Sequence, residues 1–239
     1  MSEKHNSLEA IKALFEISIE EQEIAFIYIG YAGIILRMPK GVIAFDLGKS
    51  LSKEAAEAIP TLDLLFYTHT HWDHYHAPNA NRILKNTSSH IIAEPQVAED
   101  LGSRIPHEYL ITANPTSVVT VKGYKVIPVV GVHPRPITLF KVIYETTSIF
   151  HGGDSGYVPV KNQSVDVAFL PVGTPSPSCT PKTALQFSQD LTPKVAVAMH
   201  GNSKQMKLFK ELVNETLPGV RIIIPELFTP IRVNLEAEQ

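Results

Sequence analysis

Short apolar runs alternate along the chain with segments in which apolar side chains recur every three or four residues. The runs predict β-strands, and the three-to-four-residue spacing predicts helices. Helices are predicted at residues 8–17, 52–59, 79–85, 96–101, 182–190 and 204–215. Strands are predicted at residues 24–29, 34–37, 42–45, 62–67, 91–93, 124–130, 140–144, 148–151, 167–170, 195–199 and 221–224.

The order of these elements indicates an α/β protein. The run 62–67 is apolar throughout, which is typical of a strand that is buried on both faces of its sheet. Strands separated by helices imply layers of helix packed against sheet. Because a strand-dense first half is followed by a second strand–helix series, we expect two packed sheets. We expect one domain over residues 1–239, with an N-terminal helical extension at about residues 5–20.

Composition excludes several classes of protein. The 239 residues include 21 basic and 24 acidic side chains, a net charge of −3. This balance argues against binding nucleic acid or an anionic membrane through a broad basic surface. Cys179 is the only cysteine, which excludes a disulfide framework, a cysteine-rich zinc finger and an iron–sulfur cluster. No run reaches the roughly 18 apolar residues of a membrane span, and residues 1–7 do not resemble a targeting signal. We therefore expect a cytoplasmic protein.

Four of the ten histidines lie within eight positions, directly after the predicted buried strand 62–67. The core of this segment is His69, His71, Asp73 and His74. Imidazole and carboxylate are the usual ligands of a borderline divalent metal at neutral pH. Residues two apart in an extended chain point the same way, so the first two histidines can hold one ion together. The later pair lies past the strand end and is free to face a second ion, which favours two metals about 3.5–4 Å apart.

A dinuclear site needs further ligands, and open α/β sheets place them at strand ends. Three side chains meet that condition: His133, Asp154 and His200 each follow a predicted strand. Asp154 lies in a segment with three glycines, which allow the backbone to approach a ligand closely. His107 competes with His133 for the third ligand position, but it precedes a strand instead of following one. We expect His5 and His90 to have no ligand role.

Other residues near these positions have open roles. His76 and His151 are expected to orient ligands, to act as acid or base, or to contact substrate. Arg135 is a candidate contact for a substrate anion, with a solvated surface position as the alternative.

The motifs at residues 69–74, 149–157 and 193–202, in this order, resemble those of the metallo-β-lactamase superfamily. The resemblance runs from about residue 24 to about residue 213 and is strongest to the branch of ascorbate phosphate lactonase and small metal-dependent hydrolases. It implies a four-layer αββα sandwich with the metal site at the edge of the two sheets. Asp46 matches the family's first motif, a carboxylate that supports the ligands. The resemblance implies one ion on His69, His71 and His133 and a second on Asp73, His74 and His200, with Asp154 bridging.

The chain departs from that branch at two positions. Tyr31 stands where the branch usually has a histidine, and His76 replaces the usual aspartate or glycine. Both departures concern contacts to substrate or support of the ligands, so they leave the substrate open and the metals unchanged.

The implied activity is hydrolysis of a small ester, lactone or phosphodiester by a metal-bridging hydroxide, with Asp73 holding the nucleophile. Two cations sharing a water lower its pKa towards 7. Zinc is the first expectation for the ions, with manganese or iron as alternatives. The expected partner is a small-molecule substrate, and a homo-oligomer is compatible with the sequence. Two alternatives stay open: a di-iron redox site, and a non-catalytic metal-binding protein on the same fold.

Overall fold

The computed structural model describes residues 3–161, 163–173 and 179–236. The chain forms two compact units. The first unit comprises Met1–Thr112 and Glu226–Gln239, and the second comprises Ala113–Pro225. Among the described residues, none of the helices combines the length and apolar character required to cross a bilayer.

Six α-helices occur in the described part of the chain. They are α1 (Glu3–Glu16), α2 (Lys53–Glu57), α3 (Ala77–Thr87), α4 (Pro95–Gly102), α5 (Pro181–Leu191) and α6 (Ser203–Thr216). The fourteen described strands are β1 (Glu23–Gly30), β2 (Gly33–Met38), β3 (Gly41–Phe45), β4 (Leu64–Tyr67), β5 (His90–Ala93), β6 (Leu110–Thr112), β7 (Val119–Val121), β8 (Tyr124–Val130), β9 (Thr138–Tyr144), β10 (Thr147–His151), β11 (Val167–Pro171), β12 (Val195–Met199), β13 (Arg221–Ile223) and β14 (Ile231–Asn234).

The sheet of the first unit has seven strands in the order β14-β1-β2-β3-β4-β5-β6. Neighbours from β14 to β3 are antiparallel, whereas neighbours from β3 to β6 are parallel. Every residue of β4 is buried, as its unbroken apolar sequence predicts. Ile11 and Leu14 of α1, Ile83 of α3 and Val97 of α4 belong to the apolar cluster that covers this sheet. Burial of these side chains is the main driving force for the unit.

The sheet of the second unit repeats the same plan, in the order β13-β12-β11-β10-β9-β8-β7. Its strands β7 to β10 are antiparallel neighbours, and β10 to β13 are parallel. Phe187 of α5 and Phe209 of α6 pack with Phe150 and Leu170 of the sheet. The prediction of an α/β protein with two sheets is confirmed.

Several element boundaries differ from the prediction. The strands β6, β7 and β14 were not predicted, because each has only three or four residues with few buried positions. Helix α2 is shorter than the predicted 52–59: it begins after Ser52, which caps it by accepting a hydrogen bond from the Ala55 amide, and it ends at Glu57. Strand β4 begins at Leu64 and not at residue 62, because the Asp63 carboxylate accepts a hydrogen bond from the Val42 amide at that point.

Candidate metal centre

The predicted ligand residues follow strands whose carboxyl ends meet at one edge of each sheet. In the first unit, Asp46 directly follows β3 and His69 lies just after β4, and these strands are parallel. In the second unit, Asp154 and His200 follow β10 and β12, while His133 follows β8. Each unit therefore presents its own set of donor side chains, as expected for sites at strand ends.

The donors of the first unit are close together. The His69 ring centroid lies 4.6 Å from that of His71 and 4.2 Å from that of His74. The chain turns after the strand, since the amides of His74 and Tyr75 both donate to the His71 carbonyl, at 3.0 and 2.8 Å. This turn brings the Asp73 carboxylate to 3.6 Å from Nε2 of His74.

Asp46 organises this set through a fully buried network. Its Oδ1 accepts the Thr68 amide at 2.8 Å, and its Oδ2 accepts the Thr68 hydroxyl at 2.7 Å. The same Oδ2 lies 2.7 Å from Nδ1 of His74. The Thr68 hydroxyl also lies 3.0 Å from Nδ1 of His69.

The network fixes the tautomers of both histidines. A hydroxyl has one proton, and Thr68 donates it to Asp46, so this oxygen accepts from Nδ1–H of His69. An ionised carboxylate only accepts, so His74 also carries its proton on Nδ1. Nε2 of each neutral ring then presents a lone pair, which is the form that ligates a metal.

The backbone around this network is tight. Asp46 has a left-handed φ of 48°, a conformation that is uncommon outside glycine. At Gly48 an added Cβ would lie 2.3 Å from the Asp73 carbonyl oxygen and 2.9 Å from the His74 amide nitrogen. Only glycine permits this close approach, so Gly48 sets the position of the donor loop.

In the second unit the donors converge on one carboxylate. Oδ2 of Asp154 lies 3.2 Å from Nε2 of His133 and 3.7 Å from Nε2 of His200. All three side chains are buried, with exposed fractions of 3% or less. His200 has a left-handed φ of 49°, and its carbonyl accepts a hydrogen bond from the Gly173 amide.

Ser155 ties two of these loops together. Its hydroxyl oxygen accepts the Val132 amide at 2.8 Å, next to His133, and its own proton goes to the Gly156 carbonyl at 2.7 Å. The Gly156 amide donates back to the Val132 carbonyl at 2.8 Å. Two of these hydrogen bonds, from the Val132 amide and from the Gly156 amide, join the segment that carries His133 to the segment that carries Asp154.

The tautomer of His133 differs from that of the first-unit histidines. Its Nδ1 accepts the Arg135 amide at 3.2 Å, so the neutral ring carries its proton on Nε2, facing Asp154. Arg135 contributes only its amide to this contact, and its side chain is exposed. Ligation of a metal through Nε2 would require this ring to give up the Arg135 contact.

The remaining candidates have other surroundings. The buried His151 accepts the Gly153 amide on Nδ1 at 3.3 Å, within the turn that leads to Asp154. His76 is the N-cap residue of α3. Burial lowers its pKa, a hydrogen bond with Asn79 raises it, and the charges of Lys49 and Arg82 lower it further, so the pKa is lowered overall.

His107, the alternative third ligand, and Cys179, the only cysteine, lie outside these donor sets. His107 is exposed on a short 3-10 helix and belongs to neither donor set. The Cys179 thiol donates to the Pro171 carbonyl at 2.8 Å, and burial raises its pKa to about 11, so it offers no thiolate.

Tyr31 occupies a turn in the first unit. Its φ is 53°, its carbonyl accepts the Tyr28 hydroxyl at 3.0 Å, and its ring packs edge-to-face with Trp72 at 5.6 Å. Sequence reasoning missed the supporting roles of Thr68, Ser155 and Gly48. Thr68 had a signal, because it is the residue between the buried strand and the first histidine.

The chemistry of the donors fits a borderline divalent ion. Neutral imidazole nitrogens and carboxylate oxygens are the ligand types that zinc, manganese and iron accept. Within each unit the donor atoms are near one another: one ligand atom each of His69 and His71, of Asp73 and His74, and of His133 and Asp154 lie within 4.8 Å. The prediction of His and Asp groups able to bind metal is confirmed.

Comparison with known proteins identifies the class. A family model described as the β-lactamase superfamily domain matches residues 45–201, and the chain belongs to this family. A metal-dependent hydrolase from Thermoplasma acidophilum is 27% identical, over 72% of this chain and 81% of that protein.

Solved structures show the fold. Igni18, a metallo hydrolase from Ignicoccus hospitalis, has a TM-score of 0.74 at 20% identity, covering 88% of this chain and 98% of its own. YhfI from Bacillus subtilis, a metallo-β-lactamase fold protein, has a TM-score of 0.67 at 12% identity, covering 88% of this chain and 100% of its own. CmlA from Streptomyces venezuelae, a diiron β-hydroxylase, has a TM-score of 0.68 at 12% identity, covering 91% of this chain and 55% of its own. The expectations of the metallo-β-lactamase fold and of a metal-dependent hydrolase are confirmed.

Proposed function

We propose that the chain hydrolyses a small ester, lactone or phosphodiester at a dinuclear metal centre to which both donor sets contribute. In this proposal His69, His71 and His133 hold one ion, Asp73, His74 and His200 hold the second, and Asp154 lies between them. Membership of the β-lactamase superfamily and the close spacing of nitrogen and oxygen donors within each unit support this assignment.

The observation that carries the proposal is the Asp46 network. A buried aspartate that fixes Nδ1 protons on two adjacent histidines, one of them through Thr68, is the outer support that metal-ligating histidines require. A purely structural cluster has no need to turn both Nε2 lone pairs outward from the network.

Divalent ions, zinc in the first instance, would supply a Lewis acid for the carbonyl or phosphoryl oxygen and a water activated at neutral pH. The Asp73 carboxylate, 12% exposed, accepts a hydrogen bond from the attacking water and orients it. Because it touches solvent, Asp73 can also pass the released proton outward. The rigid Asp46 network keeps His69 and His74 in place while charge develops.

The proposal also covers the location of the protein, its domain organisation and its partners. We place the protein in the cytoplasm as a single catalytic domain acting on a small molecule without nucleic acid or membrane as partner, and we regard a homo-oligomer as compatible with it. The net charge of −3 and the free, buried Cys179 support this setting.

The test combines metal analysis with turnover. Protein loaded with zinc, manganese or iron is expected to retain two equivalents of metal per chain and to hydrolyse bis-p-nitrophenyl phosphate or members of lactone and ester panels. His69→Ala should fold normally, judged by circular dichroism and thermal unfolding, and lose both metal and turnover. Full occupancy by a single ion under metal-replete conditions would contradict the dinuclear assignment.

The same experiment separates the alternatives. Metal retention without turnover of any panel indicates a non-catalytic binding protein. Oxygen consumption by the iron-loaded protein, with no hydrolysis, indicates a di-iron redox site.

A further inference from the structure

We propose that Trp72 is the surface on which the substrate's apolar ring packs, so that the site prefers esters or phosphoesters carrying an aromatic ring. This inference rests on the proposed function, because it names the substrate class of that same site. It assigns Trp72 a role in binding and none in bond cleavage.

Trp72 is unusually exposed for a tryptophan, and it lies within the donor loop. It lies between the donors His71 and Asp73, and 56% of the residue is accessible. Tryptophan usually buries most of its large apolar surface. Apolar exposure also occurs near a donor of the second unit: Val132, 55% exposed, directly precedes His133, and Val130, 62% exposed, lies three residues before it.

The indole is also held in place. The Trp72 carbonyl accepts the Lys49 amide at 3.3 Å, and its ring packs against Tyr31 at an interplanar angle of 76°. Tyr31 reaches this position through a left-handed φ, which the Tyr28 hydroxyl stabilises by donating to its carbonyl. Such a conformation persists only where its surroundings impose it. The turn at Tyr31 therefore fixes an aromatic edge-to-face pair whose indole remains accessible.

A fixed, accessible indole next to the proposed metal ligands can bind an apolar ring of the substrate. An apolar ring that covers it gains hydrophobic and aromatic contact without ordering a mobile side chain. This contact is equal in the ground state and the transition state, so it lowers KM and leaves kcat unchanged.

The first test is a fluorescence titration, because Trp72 is the chain's single tryptophan. In the metal-loaded protein, benzylphosphonate should shift the emission to shorter wavelength and saturate, whereas methylphosphonate, which shares the anion but lacks the ring, should not. Tyr31→Ala should weaken the benzylphosphonate response. Equal responses to the two phosphonates would overturn the proposal. So would an emission shift on raising protein concentration alone, because a second copy of the chain would then cover the indole.

The second test is kinetic. For phenyl butyrate, Trp72→Ala should raise KM about tenfold with little change in kcat, whereas KM for methyl butyrate should not change. Trp72→Phe should retain most of the preference. Leu208→Ala, which removes a 44% exposed side chain on α6, is the matched control and should change neither value. Equal effects on both esters would refute the ring contact. If the wild-type protein hydrolyses neither ester, the ester arm of the proposed function fails, and the titration still decides the role of Trp72.

Discussion

The two units place an aspartate after the equivalent strand of the same sheet plan, yet they use it differently. Asp46 follows β3 and Asp154 follows β10, and each strand joins the antiparallel part of its sheet to the parallel part. Asp46 binds the Nδ1 side of His74 and, through Thr68, of His69. Asp154 instead faces the Nε2 atoms of His133 and His200.

The donors of the first unit are therefore already arranged to bind an ion, whereas in the second unit His133 must change its tautomer when an ion binds. In the first unit the protons of His69 and His74 already lie on Nδ1, so the lone pair of each ring lies on Nε2. In the second unit the Arg135 amide leaves the His133 proton on Nε2, which lies 3.2 Å from Oδ2 of Asp154. We therefore expect metal binding by the first unit to depend on the support from Asp46 and Thr68. We expect metal binding by the second unit to depend on the Asp154 carboxylate.

Asp154→Ala should have the largest effect. It removes the proposed bridge and the partner of two histidines, so turnover should fall by more than the roughly 100-fold that losing an outer partner costs. Metal content and kcat/KM at saturating zinc measure it. Asp154→Asn, which keeps the shape and one oxygen, should recover little. Near-complete rescue by asparagine would assign Asp154 a structural role only.

Asp46→Ala should come next. Loss of the support for His69 and His74 should weaken metal affinity by about 10–100-fold, measured by competition with a chelator. Thr68→Val should reproduce the part of this loss that passes through His69, because valine has no hydroxyl to accept its proton. If Asp46→Ala lowers turnover and metal affinity as much as Asp154→Ala does, the two aspartates do not have the different roles proposed here.

Gly48→Ala should destabilise the fold and weaken metal binding, with a smaller effect on metal binding than Asp46→Ala. Its Cβ would meet the Asp73 backbone at 2.3 Å, which backbone atoms cannot relieve without moving the donor loop. We expect a loss of about 1–3 kcal/mol in the free energy of unfolding, measured in urea, together with weaker metal binding. Gly102→Ala, where nothing lies within 4 Å of the new Cβ, is the control and should be neutral or slightly stabilising. Equal free energies of unfolding for the two variants would mean that the donor loop moves aside to accommodate the new Cβ without a loss of stability.

Asp166 provides the smallest test, on a carboxylate without any proposed metal role. Burial is the largest influence on it and raises its pKa, but contacts with Lys194 and Ser148 together outweigh burial and hold the pKa below its usual 3.8. The unfolded chain then binds more protons, so this stabilisation is present above the usual pKa and is lost as pH falls through the folded value.

Asp166→Asn should therefore remove about 1 kcal/mol near neutral pH and much less in strong acid. Urea unfolding midpoints across that pH range measure the difference. The loss should be the same with and without metal, in contrast to that of Asp154→Ala.

Sequence reasoning reached further in the first unit than in the second. His69, His71, Asp73 and His74 form one contiguous motif after a buried strand, so pattern alone identifies them. The proposed ligands of the second unit lie on separate loops, and strand ends together with the family resemblance were needed to select them. Tautomers could not be predicted, because they depend on hydrogen bonds such as the one from Arg135 to His133. The short strand β7 was missed because pairing with β8, and not its own pattern, stabilises it.

The pairing of β14 with β1 has a consequence for synthesis. Glu23 pairs with Asn234, so an early strand of the first sheet receives its outer neighbour only after the entire second unit has been translated. Until then β1 is an uncovered edge of apolar sequence, which is the kind of surface that pairs with other nascent chains. A ribosome stalled before residue 231 would therefore present a chain prone to aggregate, although all seven proposed ligands have already been made.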